Sequence, residues 1–367
     1  MSAPWTAGTR VTPARSSARE APPPRAPAPQ VLRDAHAGLR RVCPTSPLRR
    51  HPALDAFVGC EVWVKCEHLL PTGAFKIRGA YHLLATMAQA GDTREVVAAS
   101  RGNHGQALAR ACAEYGRRCV IFVPFGNSPL KDARMRALGA RVIQWGDTFD
   151  EASAGARAYA FVRGGHLVNP GDTPALVEGN ASMGLELASQ LTTLGLTDVD
   201  AVVAPVGVGS CAAALGLGLR AAGWPWPLVG VQSDRAPAMY ESWRRGLVTP
   251  LRAGATVADG LAVGEPPPYT SALLEEVLDD FTLVEERCIV EAMDAYLRAW
   301  GTRGAPGSFD LDGDDPRRPG LSPLHGVVEG AGAAALACAR DLVRARPEVR
   351  RVVVVASGSN ADPALRA

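Results

Sequence analysis

Long apolar runs are missing from this sequence. The Val-rich run over 352–356 has the length of a buried strand. A membrane-spanning helix needs roughly 18 consecutive apolar residues, so none is expected. A surplus of one charge is also missing. Lys and Arg number 39 against 37 Asp and Glu, a net charge of +2. That near balance gives no general attraction to nucleic acid or to a membrane surface. The eight cysteines include no C-x-x-C pair and have no histidine at ligand spacing. No metal site is expected from them. Without a secretory apolar segment, the thiols read as reduced, mostly buried and cytoplasmic.

What is present is core-forming material. With 367 residues, 47% of them hydrophobic, the chain has the length for two compact domains or one large one. Residues 1–30 stand apart, rich in Pro, Ala and Arg and without periodicity. Such a segment cannot bury enough apolar surface to order itself. An organelle transit segment would also be Arg-rich and acid-poor, but a disordered tail is the expectation. From residue 31 onward, short apolar runs alternate with helical patterns. Strands are predicted over 61–65, 96–100, 119–124, 142–145, 201–205, 228–232 and 352–356. Helices are predicted over 79–90, through 106–111, and over 129–138, 149–162, 175–191 and 210–222. Gly139 is placed to end the helix before it. This alternation, with continuous Val-rich strands, implies an α/β fold of parallel sheets flanked by helices. Ligands in such folds gather at the carboxyl ends of the strands. The patternless Gly, Pro, Asp and Arg over 301–322 read as an exposed loop insertion.

Four segments at strand ends carry chemistry. In Thr72-Gly73-Ala74-Phe75-Lys76-Ile77-Arg78, Lys76 sits between a turn and a helix start. Burial and a nearby cation such as Arg78 lower an amine's pKa and make it a nucleophile; a solvated lysine is the plainer reading of this segment alone. Ser100-Arg101-Gly102-Asn103-His104-Gly105-Gln106 follows a strand and opens a helix, where free N–H groups accept a carboxylate. Asn103 offers an amide to a cofactor. His104 is either a base or, more simply, a capping or core residue. In Pro205-Val206-Gly207-Val208-Gly209-Ser210-Cys211, small residues let backbone N–H groups close around a phosphate, and Ser210 adds a hydroxyl. With Ala212 and Asp234 this stretch also loosely fits a dinucleotide fingerprint, so a nicotinamide-dependent dehydrogenase is an alternative. Last, Ser357-Gly358-Ser359-Asn360 places Ser357 at a strand end, to meet a ligand or simply to turn the chain.

Taken together and in order, these segments resemble the fold-type II pyridoxal-phosphate (PLP) enzymes, the tryptophan synthase β-like fold. Within them the sequence resembles the threonine/serine dehydratases (ammonia-lyases). The resemblance runs over 35–360 and includes Thr45-Ser46-Pro47-Leu48, Lys65-Cys66-Glu67 and Ala258-Asp259-Gly260-Leu261-Ala262. It implies a large PLP-binding domain over 31–95 and 176–367 and a small domain over 96–175. It further implies that Lys76 carries PLP as an internal aldimine, that Phe75 packs on the ring and that Asn103 bonds the ring hydroxyl. Gly207, Val208, Gly209, Ser210 and Cys211 would hold the phosphate, and Ser357 would face the pyridine nitrogen. Ser100, Arg101, Gly102, Asn103 and His104 would hold the substrate carboxylate. The implied reaction is β-elimination from a small amino acid such as L-threonine or L-serine, giving a 2-oxo acid and ammonia. Beta-replacement, or elimination from a different β-substituted amino acid, is the alternative on the same scaffold. A neutral Ser357 at the ring nitrogen makes a weaker electron sink, which favours elimination over transamination. A homodimer or larger homo-oligomer is implied as well.

Departures from the family pattern carry their own expectations. Ala74 removes a hydroxyl near the cofactor, and Arg101 argues against racemisation through a second serine. Gln232 and Ala238 stand where carboxylates of a family cation site are expected, and hard cations want charged oxygens. Gly171 and the segment Gly179-Asn180-Ala181-Ser182 suggest a pocket for an unusual substrate. The sequence ends soon after Asn360, so a regulatory domain with end-product feedback is not expected.

Overall fold

Parallel strands covered on both faces must be apolar at nearly every position, and this chain supplies such runs. The computed structural model describes residues 25–224, 226–301 and 327–361. Among them, six strands form a large sheet in the order β1 (Leu48–Arg50), β2 (Glu61–Lys65), β10 (Arg351–Val355), β7 (Ala201–Pro205), β8 (Leu228–Ser233) and β9 (Asp280–Val284). All neighbours are parallel except β1, a short antiparallel edge on β2 that the sequence did not announce. The smaller sheet runs β5 (Arg141–Gln144), β4 (Cys119–Val123), β3 (Val96–Ala99) and β6 (His166–Leu167), all parallel.

The side-chain period of two divides each strand between two cores. Val352 and Val354 of β10 enter one core of the large sheet, while Val353 and Val355 enter the core on its other face. The smaller sheet does the same. Val96, Ala98 and Ile121 pack on one side, and Val97, Ala99 and Phe122 on the other. Helices therefore cover both faces of both sheets, as the continuous apolar strands require.

Three expectations are corrected. The expected tail over 1–30 ends early, because a helix opens at Pro29 and runs to Leu39. Proline is pre-set for the first helical turn, and Ala26 and Leu32 pack into the core beneath. Residues 1–24 lie outside the described residues, as does the 301–322 insertion apart from Gly301. The helix expected over 175–191 is two, Pro174–Asn180 and Ser182–Thr193. At the junction the Asn180 side-chain carbonyl accepts from the Gly79 N–H at 2.9 Å. Close beneath, Gly218 approaches so tightly that an added Cβ would lie 2.2 Å from the Ala181 carbonyl oxygen. The helix expected from 79 begins at Lys76 and ends at Gln89. Gly79 sits inside it without breaking it, since a Cβ there would meet the Leu176 carbonyl at 2.5 Å.

One buried ionic cluster fixes the start of that helix. Arg78 donates from Nε to Glu67 at 2.7 Å and from Nη1 to Glu186 at 2.9 Å. Lys65 of β2 donates to Glu186 at 2.6 Å, and the Ser46 hydroxyl donates to Glu67 at 2.6 Å. Two cations balance two carboxylates, so no charge is left alone in the interior. Removing one partner strands the others at a cost of about 3–5 kcal/mol. Arg78→Met should therefore destabilise the fold by about that amount in urea denaturation. A loss under about 1 kcal/mol would show that the cluster contributes little.

Candidate active site

The cleft lies where carboxyl ends of strands from both sheets meet, as the parallel topology directs. After β10, the chain pairs back on the segment before Lys76. Ala74 forms an antiparallel bridge with Gly358, the Phe75 N–H donates to the Ser357 carbonyl at 3.2 Å, and the Ser359 N–H donates to the Gly73 carbonyl at 2.8 Å. That zipper sets Lys76 and Ser357 into one cavity. The cavity encloses about 950 Å³ of empty space, its open mouth included. The residues the PLP resemblance singles out all line it: Phe75 and Lys76, the loop from Ser100 to His104, the loop from Gly207 to Cys211, and Ser357. Asp234, the alternative ribose acid, does not line it.

Lys76 is half-buried in the cavity wall, and its amine donates to the Ser210 hydroxyl at 3.0 Å and stands 4.8 Å from the Phe75 ring centre. Burial pulls its pKa down to about 8, against the raising influence of Cys211 and Glu329. Arg78 plays no part in that shift, because its guanidinium is turned into the buried cluster. The Gly207–Cys211 loop joins β7 to the helix Ser210–Ala221. Gly209 has φ +87°, and a Cβ on Gly207 would lie 2.2 Å from the Gly260 carbonyl oxygen. Only glycine keeps that cradle open. The first N–H groups of the helix have no partner within it, which suits a phosphate.

The Ser100 hydroxyl accepts from the Gly102 and Gly105 N–H groups at 3.1 and 2.8 Å, so this side chain shapes its own loop. His104 is resolved in favour of a packed residue. Burial, and then Lys76, push its pKa to about 3, while the Val168 carbonyl accepts its ring N–H. It does not serve as a base near neutrality. Arg101 is exposed at the mouth of the cavity. Gln232 spends its amide locally, accepting from the Tyr240 N–H at 3.1 Å and donating to the Leu261 carbonyl at 3.4 Å. Among the described residues, no group of three or more His, Cys, Asp or Glu is placed to hold a metal ion.

Sequence reasoning missed three charged residues of the cavity. Lys131 and Asp259 form an ion pair in its wall. Glu329 is buried there, accepting from the Asn103 amide at 2.7 Å on one oxygen, while the other oxygen is buried without a partner. Burial and then Asp259 push its pKa up to about 7, with Lys131 and the Asn103 bond opposing. Asp259 stood in a recognisable segment, but its pairing with Lys131, and that of Glu329 with Asn103, are properties of the folded chain.

A low-pKa lysine, a glycine cradle at a helix N-terminus and a polar cavity lining are the parts a PLP site requires. Comparison with known proteins agrees. The family model for pyridoxal-phosphate dependent enzymes matches residues 41–308. The chain belongs to that family, and PLP is its cofactor. It is similar to the L-threonine ammonia-lyase of Thermotoga maritima, at 31% identity over 90% of this chain and 75% of that protein. It is likewise similar to the catabolic L-threonine dehydratase of Escherichia coli, at 30% identity over 82% of this chain and 83% of that protein. The crystal structure of a T.th. threonine deaminase superposes with a TM-score of 0.78 and 29% identity, covering 92% of this chain and 99% of the other. The chain is thus a PLP-dependent lyase with the fold-type II architecture, and the dehydrogenase alternative falls away.

Two pH effects follow. A protonated amine does not attack an aldehyde, so capture of PLP by the apoprotein should quicken as pH rises through about 8 and level off above it. A capture rate still climbing steeply above pH ~9, as for an ordinary lysine, would contradict the depressed Lys76 pKa. Glu329 is the opposite case. Its pKa is raised on folding from 4.5 to about 7. The folded state therefore holds this proton more tightly, and stability falls as pH rises through that window. Thermal melts of wild type and Glu329→Gln should differ least near pH 4.5, diverge in favour of the variant as pH rises toward 7, and stay a constant distance apart above it. Parallel melting curves across that range would count against it.

Proposed function

We propose that this chain removes the β-hydroxyl of a small hydroxy-amino acid such as L-threonine or L-serine, releasing a 2-oxo acid and ammonia. The Lys76 amine carries the reading: half-buried, held near a pKa of about 8, and bonded to Ser210 at the mouth of the glycine cradle. The likeness to two proteins named for L-threonine supports the substrate class.

Lys76 would hold the aldehyde of PLP, the Gly207–Cys211 loop its phosphate, Asn103 its ring oxygen, Ser357 its ring nitrogen and Phe75 a ring face. When bound, PLP supplies the electron sink for negative charge at the substrate Cα. The amine of Lys76, once free, is a base matched to neutral pH and takes the Cα proton. The Ser210 hydroxyl accepts a hydrogen bond from the ammonium so formed. Backbone N–H groups at the head of the helix Asn103–Glu114 orient the substrate carboxylate. Apolar Leu261 and Val263 line the same cavity as Phe75 and would keep water from the reacting carbon.

Several finer readings go with this one. The division into a small domain over 96–175 and a large domain over 31–95 and 176–367 rests on the two sheets. A cytoplasmic setting rests on eight unpaired thiols, seven of them buried. Assembly as a homodimer or larger homo-oligomer is retained from the family resemblance. No described helix is long and apolar enough to cross a membrane.

Purified protein saturated with PLP should form a 2-oxo acid from L-threonine or L-serine, and Lys76→Ala should lose at least about a thousandfold in kcat. An unreactive wild type that retains the visible band of lysine-bound PLP would move the substrate elsewhere. Adduct formation with an added thiol, in place of 2-oxo acid, would favour β-replacement.

A further inference from the structure

A chain of hydrogen bonds runs into the cleft from a residue that has only donors. Arg134, half-buried on the helix Pro129–Ala137, donates from Nη1 to the side-chain oxygen of Asn360 at 2.9 Å. A guanidinium offers no acceptor, so the Asn360 carbonyl must face it. The Asn360 amide nitrogen then points the other way, donating to the Thr72 carbonyl at 2.9 Å and to the Asn103 side-chain oxygen at 2.8 Å. With its oxygen taken, Asn103 can present only N–H to its remaining neighbours. One hydrogen goes to Glu329 at 2.7 Å. The other is left for the cavity that Asn103 lines. The orientation of this amide is thus dictated two residues away.

We propose that Arg134 and Asn360 are positioning residues that fix Asn103 as a hydrogen-bond donor into the cleft, so that the atom held there is an acceptor, a deprotonated ring oxygen of PLP. This rests on the reading of Asn103 as the ring-oxygen partner. Without the fixed end, an amide can turn over and offer its carbonyl, which repels an oxyanion. Neither Arg134 nor Asn360 lines the cavity, so their effect passes through Asn103.

The test compares Asn360→Leu, Arg134→Met and Arg134→Lys with wild type by PLP titration and by the visible absorption of the holoenzyme across pH. The charged and titratable groups that share the cavity with Asn103 are Lys76, Arg101, His104, Cys211, Glu329 and the Lys131–Asp259 pair, with Arg134 behind Asn360. Asn360→Leu changes none of their charges. Asn360→Leu and Arg134→Met should each weaken PLP binding about tenfold and move the pH midpoint of the visible band upward. Arg134→Lys, also a pure donor, should stay near wild type. Wild-type affinity and midpoint in Asn360→Leu would overturn the proposal, as would a lysine variant as impaired as the methionine one. If Asn360→Leu yields no soluble protein, the methionine–lysine pair decides. Absence of any visible band in PLP-saturated wild type would instead sink the reading of the cofactor contacts beneath it.

Discussion

Taking the Lys76 amine out of water disfavours its charged form, and the cleft is built around that single effect. A neutral amine at ordinary pH is a nucleophile toward an aldehyde and a base toward a carbon acid. Burial therefore supplies both properties that a PLP lysine needs. The same burial would be costly if the amine had no partner, and the Ser210 hydroxyl provides one at 3.0 Å without adding charge. Neutral partners recur throughout the cavity. His104 is held neutral, Glu329 is pushed toward its neutral form, and the Lys131–Asp259 pair cancels itself. Little fixed charge remains to compete with the phosphate and carboxylates that the cavity is shaped to accept.

The sheets place this amine. Beta-strand 10 ends at Val355, and the next residues zip onto the Gly73–Phe75 segment. Ser357 and Lys76 are thus tied through the backbone. On the other side of Lys76, the Arg78 cluster anchors the helix to β2 and to the helix Ser182–Thr193. Lys76 is held from both directions, which limits the conformational freedom that a long flexible side chain would otherwise bring to its site.

Much of this was legible in the sequence because it depends on local patterns. The Val-rich runs announced the parallel strands, and the glycines at 207 and 209 announced the cradle. Other features depend on who meets whom after folding. At the helix junction, Asn180 meets Gly79, 101 residues away in the chain. Glu329 reads as an ordinary helix-start residue until Asn103, 226 residues away, is found against it. Arg134 looked like one more basic residue in a helix, and only its aim at Asn360 gives it a role. Arg78 was expected beside Lys76 because it is two residues on in sequence. On a helix, residues two apart point in different directions, and it serves the interior instead.

The central claim is that one amine, that of Lys76, carries the cofactor. The most direct test is to incubate the protein with PLP, reduce with borohydride, digest, and map the modified peptide by mass spectrometry. The account predicts a single phosphopyridoxyl label on Lys76, with Lys65 and Lys131 unmodified because their amines are engaged in ion pairs. A label on either of those, or none at all, would contradict it.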